Sequence, residues 1–305
     1  MYNHSLVISV RTHHLAAALS IALAVTPLAA QSRHNEAHAS RPYDHVVIVS
    51  FDGMRADAVT RAHPENLLRL SRTGASARNA TTIGNSTTLP SHSSMLSGVL
   101  PETHRMDFDD FHPERGFIAA PTIFYVAHEA GFATAMFVGK TKLRHIATPG
   151  SLDVWSLPHW SCERISTAAA EYLRDATPGI TFVHYSEPDD AGHMHRWMSR
   201  AYLAAIERAD RCLGTVLEAV EHRADADRFL VIATADHGGH GRRHGTQRRV
   251  DLHIPWIAWG RHVRRGPIET DVQTVDTAAT ALTALGLPLP ASFDGHAVRN
   301  AFARP

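Results

Sequence analysis

Cysteine is nearly absent from this chain of 305 residues: there are two, Cys162 and Cys212, and neither stands in a CxxC or a metal-ligand spacing. That leaves no cysteine-built metal or dithiol site. Charge of one sign is not in excess either, because 30 Lys and Arg offset 30 Asp and Glu, and no Lys/Arg run forms a basic arm. Nothing therefore steers the chain towards a nucleic-acid polymer or an anionic membrane. Low-complexity tracts and linker-like stretches are missing, so the folded part reads as one domain. One long apolar run is found, Leu15 to Ala30, broken late by Thr26 and Pro27. It is too short to span a bilayer comfortably. With Arg11, His13 and His14 before it and Leu-Ala-Ala at its end, it has the layout of a secretory signal peptide.

The expected organisation is a signal peptide over residues 1–30, a polar lead-in over 31–44 and a folded domain over 45–305, with no membrane span left after cleavage. Export bears on the cysteines, since in an oxidising compartment Cys162 and Cys212 could form one bridge, with two buried free thiols as the alternative. What the chain has in abundance is histidine. Its 23 residues are several times the usual share, and imidazole is the commonest protein ligand for transition metals.

The apolar content of 44% suffices for a sizeable core. His45 to Ser50 is a short, continuously apolar run rich in β-branched residues, which predicts a strand buried on both faces. Further strands are predicted at Ala133 to Gly139, Ile180 to Tyr185, Phe229 to Thr234 and Ile254 to Trp259. Helices are predicted at Glu65 to Arg72, at Ser199 to Glu221, where Leu203, Ile206, Leu213, Val216 and Val220 recur at helical spacing, and at Thr274 to Leu285 before Gly286 and Pro288. Strand, polar loop and helix in repetition predict an α/β fold, a mostly parallel sheet with helices on both faces.

Asn85-Ser-Thr-Thr-Leu-Pro-Ser-His92 reads as a helix entrance, because Pro90 needs no donor in the first helical turn. A hydroxyl held there meets unpaired N–H groups and the positive end of the helix dipole, which suits an oxyanion or a phosphoryl group. Taken alone, the stretch is equally an ordinary Ser/Thr cap. The strand ends add to it. Asp52 ends the first strand with Gly53 allowing a sharp turn; Asp189 and His193 follow the third; Asp236 and His237 follow the fourth, with His244 shortly after. Parallel strands bring such loops to one edge of the sheet, where a mixed oxygen and nitrogen set of this size would hold two divalent ions.

In these motifs the chain resembles the alkaline phosphatase superfamily, in its branch of type I phosphodiesterases and nucleotide pyrophosphatases. The resemblance rests on Val-Ser-Phe-Asp52-Gly-Met-Arg, Thr88-Leu-Pro-Ser-His-Ser-Ser-Met-Leu-Ser-Gly with Pro101-Glu-Thr-His, Glu187-Pro-Asp189-Asp-Ala-Gly-His193, Thr-Ala-Asp236-His237-Gly, His244-Gly-Thr and Phe293-Asp-Gly-His296. It implies that residues 45–305 form one alkaline-phosphatase-like catalytic domain. It further implies one metal held by Asp52, Asp236, His237 and the Thr88 oxygen, and a second held by Asp189, His193 and His244. Such sets look like zinc sites, although manganese suits the same ligands. Thr88 would be the nucleophile that attacks a small-molecule phosphate ester and forms a phosphothreonine, with Thr87 the neighbouring contender.

Two stretches depart from the pattern or widen it. Family members carry an asparagine that donates to a phosphoryl oxygen, and Asp109 stands at the matching position. Lys140, Lys142 and Arg144 follow a strand directly and resemble both the Gly-Lys element of sulfatases and a Lys-x-Arg pair of phosphate monoesterases. Cations there would favour a monoester over a diester. The implied activity is hydrolysis of phosphodiester or pyrophosphate bonds. The alternatives are a phosphomonoesterase, a sulfatase-like hydrolase, for which a threonine nucleophile is unsuited, and an inactive metal-binding scaffold. Trp155, His159, Trp160 and Trp197 read as core residues or as a wall for a base or aryl group. Oligomeric state leaves no mark in the sequence.

Overall fold

His45–Phe51 has four consecutive β-branched residues and no polar alternation, and as strand β1 it is buried along its whole length. The structure, a computed structural model, describes residues 41–157 and 160–303. The expected signal peptide, most of the polar lead-in and His159 lie outside the described residues. After β1 come β2 (Ala75–Ala77), β3 (Ala80–Thr81), β4 (Ala133–Phe137), β5 (Val154–Ser156) and β6 (Gly179–Tyr185). Then follow β7 (Phe229–Thr234), β8 (His253–Ile254), β9 (Trp256–Gly260), β10 (Gly266–Ile268) and β11 (Val272–Gln273). Among the described residues, the α-helices of more than one turn are α1 (Glu65–Thr73), α2 (Thr88–Ser97), α3 (Ile123–Glu129), α4 (Cys162–Asp175), α5 (Glu187–His195), α6 (Arg200–Glu221) and α7 (Asp276–Ala284).

The main sheet has eight strands in the order β10-β2-β9-β7-β1-β6-β4-β5, and β11-β3-β8 form a small second sheet. β1 lies between β6 and β7 and is parallel to both, while β4 is parallel to β6 and β5. The register sets Ile48 beside Phe182 and Ile232, all fully buried. Each such side chain contributes about 1.5–3 kcal/mol by leaving water. α1 and α4 each pack on α6, and α2, α3 and α7 form a separate group, as the two faces of one sheet require. α6 is capped by Ser199, whose hydroxyl accepts from the Tyr202 N–H at 3.2 Å. In turn its buried Asp210 takes the N–H groups of Asn66 and Leu67, each at 2.9 Å, and so caps α1 from a distance.

Two expectations need correction. The run Ile254 to Trp259 is two strands: β8 belongs to the small sheet and β9 to the large one. Pro255 lies between them and lacks the N–H that one continuous ladder would need; its carbonyl accepts from Thr234 Oγ1 at 2.8 Å. β9 runs antiparallel to both β7 and β2, while the other five neighbouring pairs are parallel, so the sheet is mostly parallel as expected. Glu187 to His193, read as a loop, is helix α5 with Pro188 in its first turn. Cys162 and Cys212 are joined in a disulfide that ties the start of α4 to the middle of α6.

Candidate metal centre and active site

Four parallel strands end on one edge of the sheet, and each delivers polar groups there: Asp52 after β1, Lys140 after β4, Asp189 in the first turn of α5 after β6, and Asp236 with His237 after β7. That is the edge at which open α/β sheets bind ligands. Gly53, at φ 71°, makes the turn after Asp52. A Cβ on it would stand 2.9 Å from the Asp189 Cα, so only glycine lets these two ligand segments approach.

Thr87, in extended conformation, is the residue before α2, yet its hydroxyl turns to Asn85 Oδ1 at 3.1 Å and caps nothing. Thr88 is the first helical residue and is buried. Its Oγ1 lies 3.5 Å from Asp52 Oδ1 and 3.4 Å from His237 Nε2. His237 Nε2 is in turn 3.4 Å from Asp52 Oδ1 and 3.3 Å from Asp236 Oδ2. In the neighbouring set, Asp189 Oδ1 is 3.4 Å from His193 Nε2 and 3.7 Å from His244 Nε2. α5 brings Asp189 and His193 onto one face at helical spacing. The six acidic and histidine ligands implied by the resemblance thus fall into two groups of three.

The chemistry of these donors fits divalent ions. His237, His193 and His244 each donate Nδ1–H to a main-chain carbonyl, of Gly238 at 2.7 Å, Arg242 at 3.0 Å and Ser86 at 2.9 Å. That fixes the tautomer and turns each Nε2 lone pair towards carboxylate oxygens. Lone pair against carboxylate repels unless a cation lies between them. Asp236 Oδ2 and Asp189 Oδ1, both buried, have no hydrogen-bond partner. Bonds of about 2.0–2.1 Å in tetrahedral array separate ligand atoms by about 3.3–3.4 Å, close to the spacings found here.

Burial works against the Asp52 carboxylate, but Lys140, His184 and His237 outweigh it and hold Asp52 well below the usual carboxylate range. Asp189 is also lowered, with burial opposing and Lys140 prevailing. Asp236 is pushed well up, by burial first and by Asp52 second. Burial brings His244 down to about 4. Three carboxylates thus compete for too little positive charge.

Lys140 does not face an open substrate space. Its Nζ lies 2.8 Å from Asp52 Oδ2 and 2.5 Å from Asp189 Oδ2, the oxygens opposite to those that meet His237, His193 and His244. It is a tie between the two ligand sets. Lys142 bonds Asp109 Oδ2 at 2.9 Å, and Asp109 Oδ1 accepts the Leu89 N–H at 2.8 Å. Arg144 is exposed and lines a small recess with Phe111, Phe117 and His145. Of the substrate-binding candidates, only Asp109 and Lys142 therefore stand against the first turn of α2.

Several supporting residues had no reading in the sequence. His184, on β6, accepts the Gly139 N–H at Nδ1 and so donates Nε2–H to Asp52 Oδ2 at 2.9 Å. His92 donates Nδ1–H to the Thr88 carbonyl at 2.8 Å and accepts from Ser50 at Nε2. Buried Asp251 bonds His240 at 2.7 Å and Thr246 at 2.6 Å, which braces the segment that carries His237 and His244. Trp197 is buried, meets both His193 and His244 edge-on or tilted, and donates to the Gly53 carbonyl at 2.9 Å. It is a core residue that backs the ligands, whereas Trp160 is exposed. His184 had one available signal: it precedes Tyr185 at the end of a strand that feeds the site.

The model of the type I phosphodiesterase / nucleotide pyrophosphatase family matches residues 46–267, which contain every one of these ligands. The chain belongs to this family. Among relatives of the phosphodiesterase-family chain, the bis(5'-adenosyl)-triphosphatase of Xenopus laevis is 24% identical over 212 residues, covering 63% of this chain and 46% of the relative. The 2,3-bisphosphoglycerate-independent phosphoglycerate mutase of Thermomicrobium roseum is 29% identical over 150 residues, covering 46% of this chain and 28% of the relative. The phosphodiesterase-family chain thus spans less than half the length of either. Murine ectonucleotide pyrophosphatase / phosphodiesterase 5, solved as an inactive variant in complex with AMP, superposes with a TM-score of 0.70 at 15% identity, covering 85% of this chain and 99% of the other. That likeness bears on the fold, an alkaline-phosphatase-like α/β architecture.

Proposed function

We propose that the protein is an exported hydrolase of phosphoric esters that uses two divalent ions and cleaves phosphodiester or pyrophosphate bonds of a small-molecule substrate through a phosphothreonine at Thr88. One observation carries this reading. Thr88 Oγ1 stands at a helix N-terminus, 3.5 Å from Asp52 Oδ1 and 3.4 Å from His237 Nε2, inside a donor set whose spacing suits a tetrahedral ion. Asp52, Asp236, His237 and the Thr88 oxygen would hold one ion, and Asp189, His193 and His244 the other. Bound there, such ions supply counter-charge for the threonine alkoxide and for the attacking and leaving oxygens, and zinc suits these ligands.

The chain's own groups set up the rest. Thr88 Oγ1 is the attacking atom, and the hydrogen bond from His92 to the Thr88 carbonyl holds the main chain that carries it. The Thr88 N–H and the positive end of the α2 dipole serve the phosphoryl oxygens, the Leu89 N–H being held by Asp109. Attack on phosphorus breaks the bond to the leaving alcohol or phosphate, and water then releases the phosphoryl group and restores the hydroxyl.

Two features favour a diester over a monoester: Lys140 is committed to Asp52 and Asp189, and Arg144 is exposed and lines a recess that contains none of the six acidic and histidine residues. Completeness of both ligand sets speaks against an inactive scaffold. The Cys162–Cys212 bridge supports export to an oxidising compartment, and no helix among the described residues is long and apolar enough to cross a membrane. The AMP held by the murine structure and the name of the triphosphatase support a nucleotide-like substrate.

The test compares bis-p-nitrophenyl phosphate, p-nitrophenyl phosphate and p-nitrophenyl sulfate on the zinc-loaded protein and on Thr88→Ala. Preference for the diester is expected, and Thr88→Ala should keep its zinc while losing turnover on the order of 10³-fold or more. Near-normal turnover in fully metallated Thr88→Ala would sink the nucleophile assignment. Preference for the monoester or the sulfate would move the protein to another branch of the superfamily.

A further inference from the structure

Asp109 holds a position that a phosphate oxygen would want. In the first turn of α2 the Thr88 and Leu89 N–H groups precede any intrahelical partner and Pro90 has none to offer; Ser91 N–H is the first to bond back, to the Thr87 carbonyl at 3.0 Å. The Leu89 N–H therefore stands one residue from the attacking hydroxyl and is free for an acceptor from outside the helix. That acceptor is Asp109 Oδ1, at 2.8 Å. The other carboxylate oxygen is held by Lys142 Nζ at 2.9 Å. Beside Thr88, the fully buried Asp236 Oδ2 lacks a hydrogen-bond partner and faces His237 Nε2, so this end of α2 opens onto groups that await a ligand.

We propose that Asp109 is a specificity-determining residue: its carboxylate stands in for a phosphoryl oxygen at the Leu89 N–H and sets the site against phosphate dianions, that is, monoesters and inorganic phosphate. The proposal rests on the reading of Thr88 as the attacking residue. A diester brings one negative charge to phosphorus, and its neutral substituent can lie on the side of Asp109. A monoester or free phosphate brings a second charge that must approach a carboxylate which already occupies the donor. Asp109 and Lys142 are both partly exposed, with 31% and 19% of their side-chain surface open, so the pair can shift as a unit when a diester enters. Lys142, which in isolation would attract a dianion, is cancelled by the residue it holds. Hydrolysis of a diester through Thr88 releases a phosphate monoester, itself a dianion at neutral pH. The same arrangement therefore keeps product from accumulating on the site.

Asp109→Asn keeps an oxygen for the Leu89 N–H, removes the negative charge and turns an amide N–H₂ towards Lys142, which is then released. The measurement is titration calorimetry of inorganic phosphate into the zinc-loaded wild type, Asp109→Asn and Asp109→Ser. Both variants are expected to bind phosphate at least about tenfold more tightly than the wild type. The ratio of kcat/KM for p-nitrophenyl phosphate to that for bis-p-nitrophenyl phosphate should rise by a similar factor, and Lys142→Gln should move both readouts the opposite way. A residue that merely caps α2 would lower the melting temperature on substitution and leave phosphate affinity and the ester ratio where they were. That result overturns the proposal. The titration needs no turnover, so it decides the role of Asp109 even in a protein that cleaves neither ester.

Discussion

Replacing Lys140 by methionine should damage the metal-free protein far more than the metal-loaded one. Its ammonium is the shared partner of Asp52 and Asp189, at 2.8 Å and 2.5 Å, and both carboxylates are almost wholly buried. Removing one member of a buried ionic set leaves the rest uncompensated, at a cost of about 3–5 kcal/mol. With dications in both ligand sets that countercharge is supplied from elsewhere, and the cost falls to about 1 kcal/mol. For a domain of this size, about 2–4 °C of melting temperature goes with each kcal/mol. The metal-free Lys140→Met protein should therefore melt roughly 10 °C below the metal-free wild type, and the zinc-loaded pair should differ by a few degrees. A thermodynamic cycle then requires tighter metal binding in the variant by the difference, about 3 kcal/mol or on the order of 100-fold. Thermal melts in the presence of chelator and of zinc, with calorimetric titration of zinc, measure both arms. Equal losses in the two states, or a metal-free variant as stable as wild type, would refute the view of Lys140 as a tie and return it to the substrate side of the site.

Removing the Cys162–Cys212 bridge as Cys162→Ala with Cys212→Ala should cost about 4 kcal/mol, the chain-entropy value for a separation of 50 residues, as read from urea denaturation. Glu187, the first residue of α5, accepts the Cys162 N–H, so the loss should reach the Asp189–His193–His244 site first and weaken binding of one zinc more than the other; equal weakening would disconnect the bridge from the site. Burial depresses His45 and His104 to about 4, so both stay neutral in the fold at a pH where the unfolded chain takes up protons. Their contribution is complete above about pH 6.5 and is lost as pH falls towards 4, by up to about 3 kcal/mol each. His104→Gln should flatten that part of the stability profile, and a profile identical to wild type would reject the assignment.

The strand ends were legible because β1, β6 and β7 are buried on both faces and leave unbroken apolar runs that stop where the chemistry begins. Asp52, Asp189 and Asp236 could be found by that rule alone. The run through Pro255 misled because apolar continuity says nothing of which sheet a strand joins, and the missing N–H of one proline divided it. Lys140 was read as a substrate group because sequence order gives its strand end but not which oxygens its ammonium meets. The partners that fix the histidine tautomers, the carbonyls of Gly238, Arg242 and Ser86, are main-chain groups and leave no trace in residue identity. Asp109 was singled out as a departure from a pattern, but its bond to the Leu89 N–H depends on how one loop folds back onto a helix distant in space from its own backbone neighbours.

The order in which the ligands occur along the chain has a consequence in time. Asp52 lies near the start of the folded part, just after β1, while Asp236, His237 and His244 follow β7, which pairs directly with β1. During synthesis β1 can pair with β6 before β7 emerges, but neither set of three acidic and histidine side chains is complete until β7 and the segment after it have followed. A ribosome-bound or truncated chain that stops short of β7 therefore carries Thr88 on α2 but neither complete set of acidic and histidine side chains. Under the proposed function, topology alone withholds activity from the unfinished polypeptide, with no inhibitory segment required.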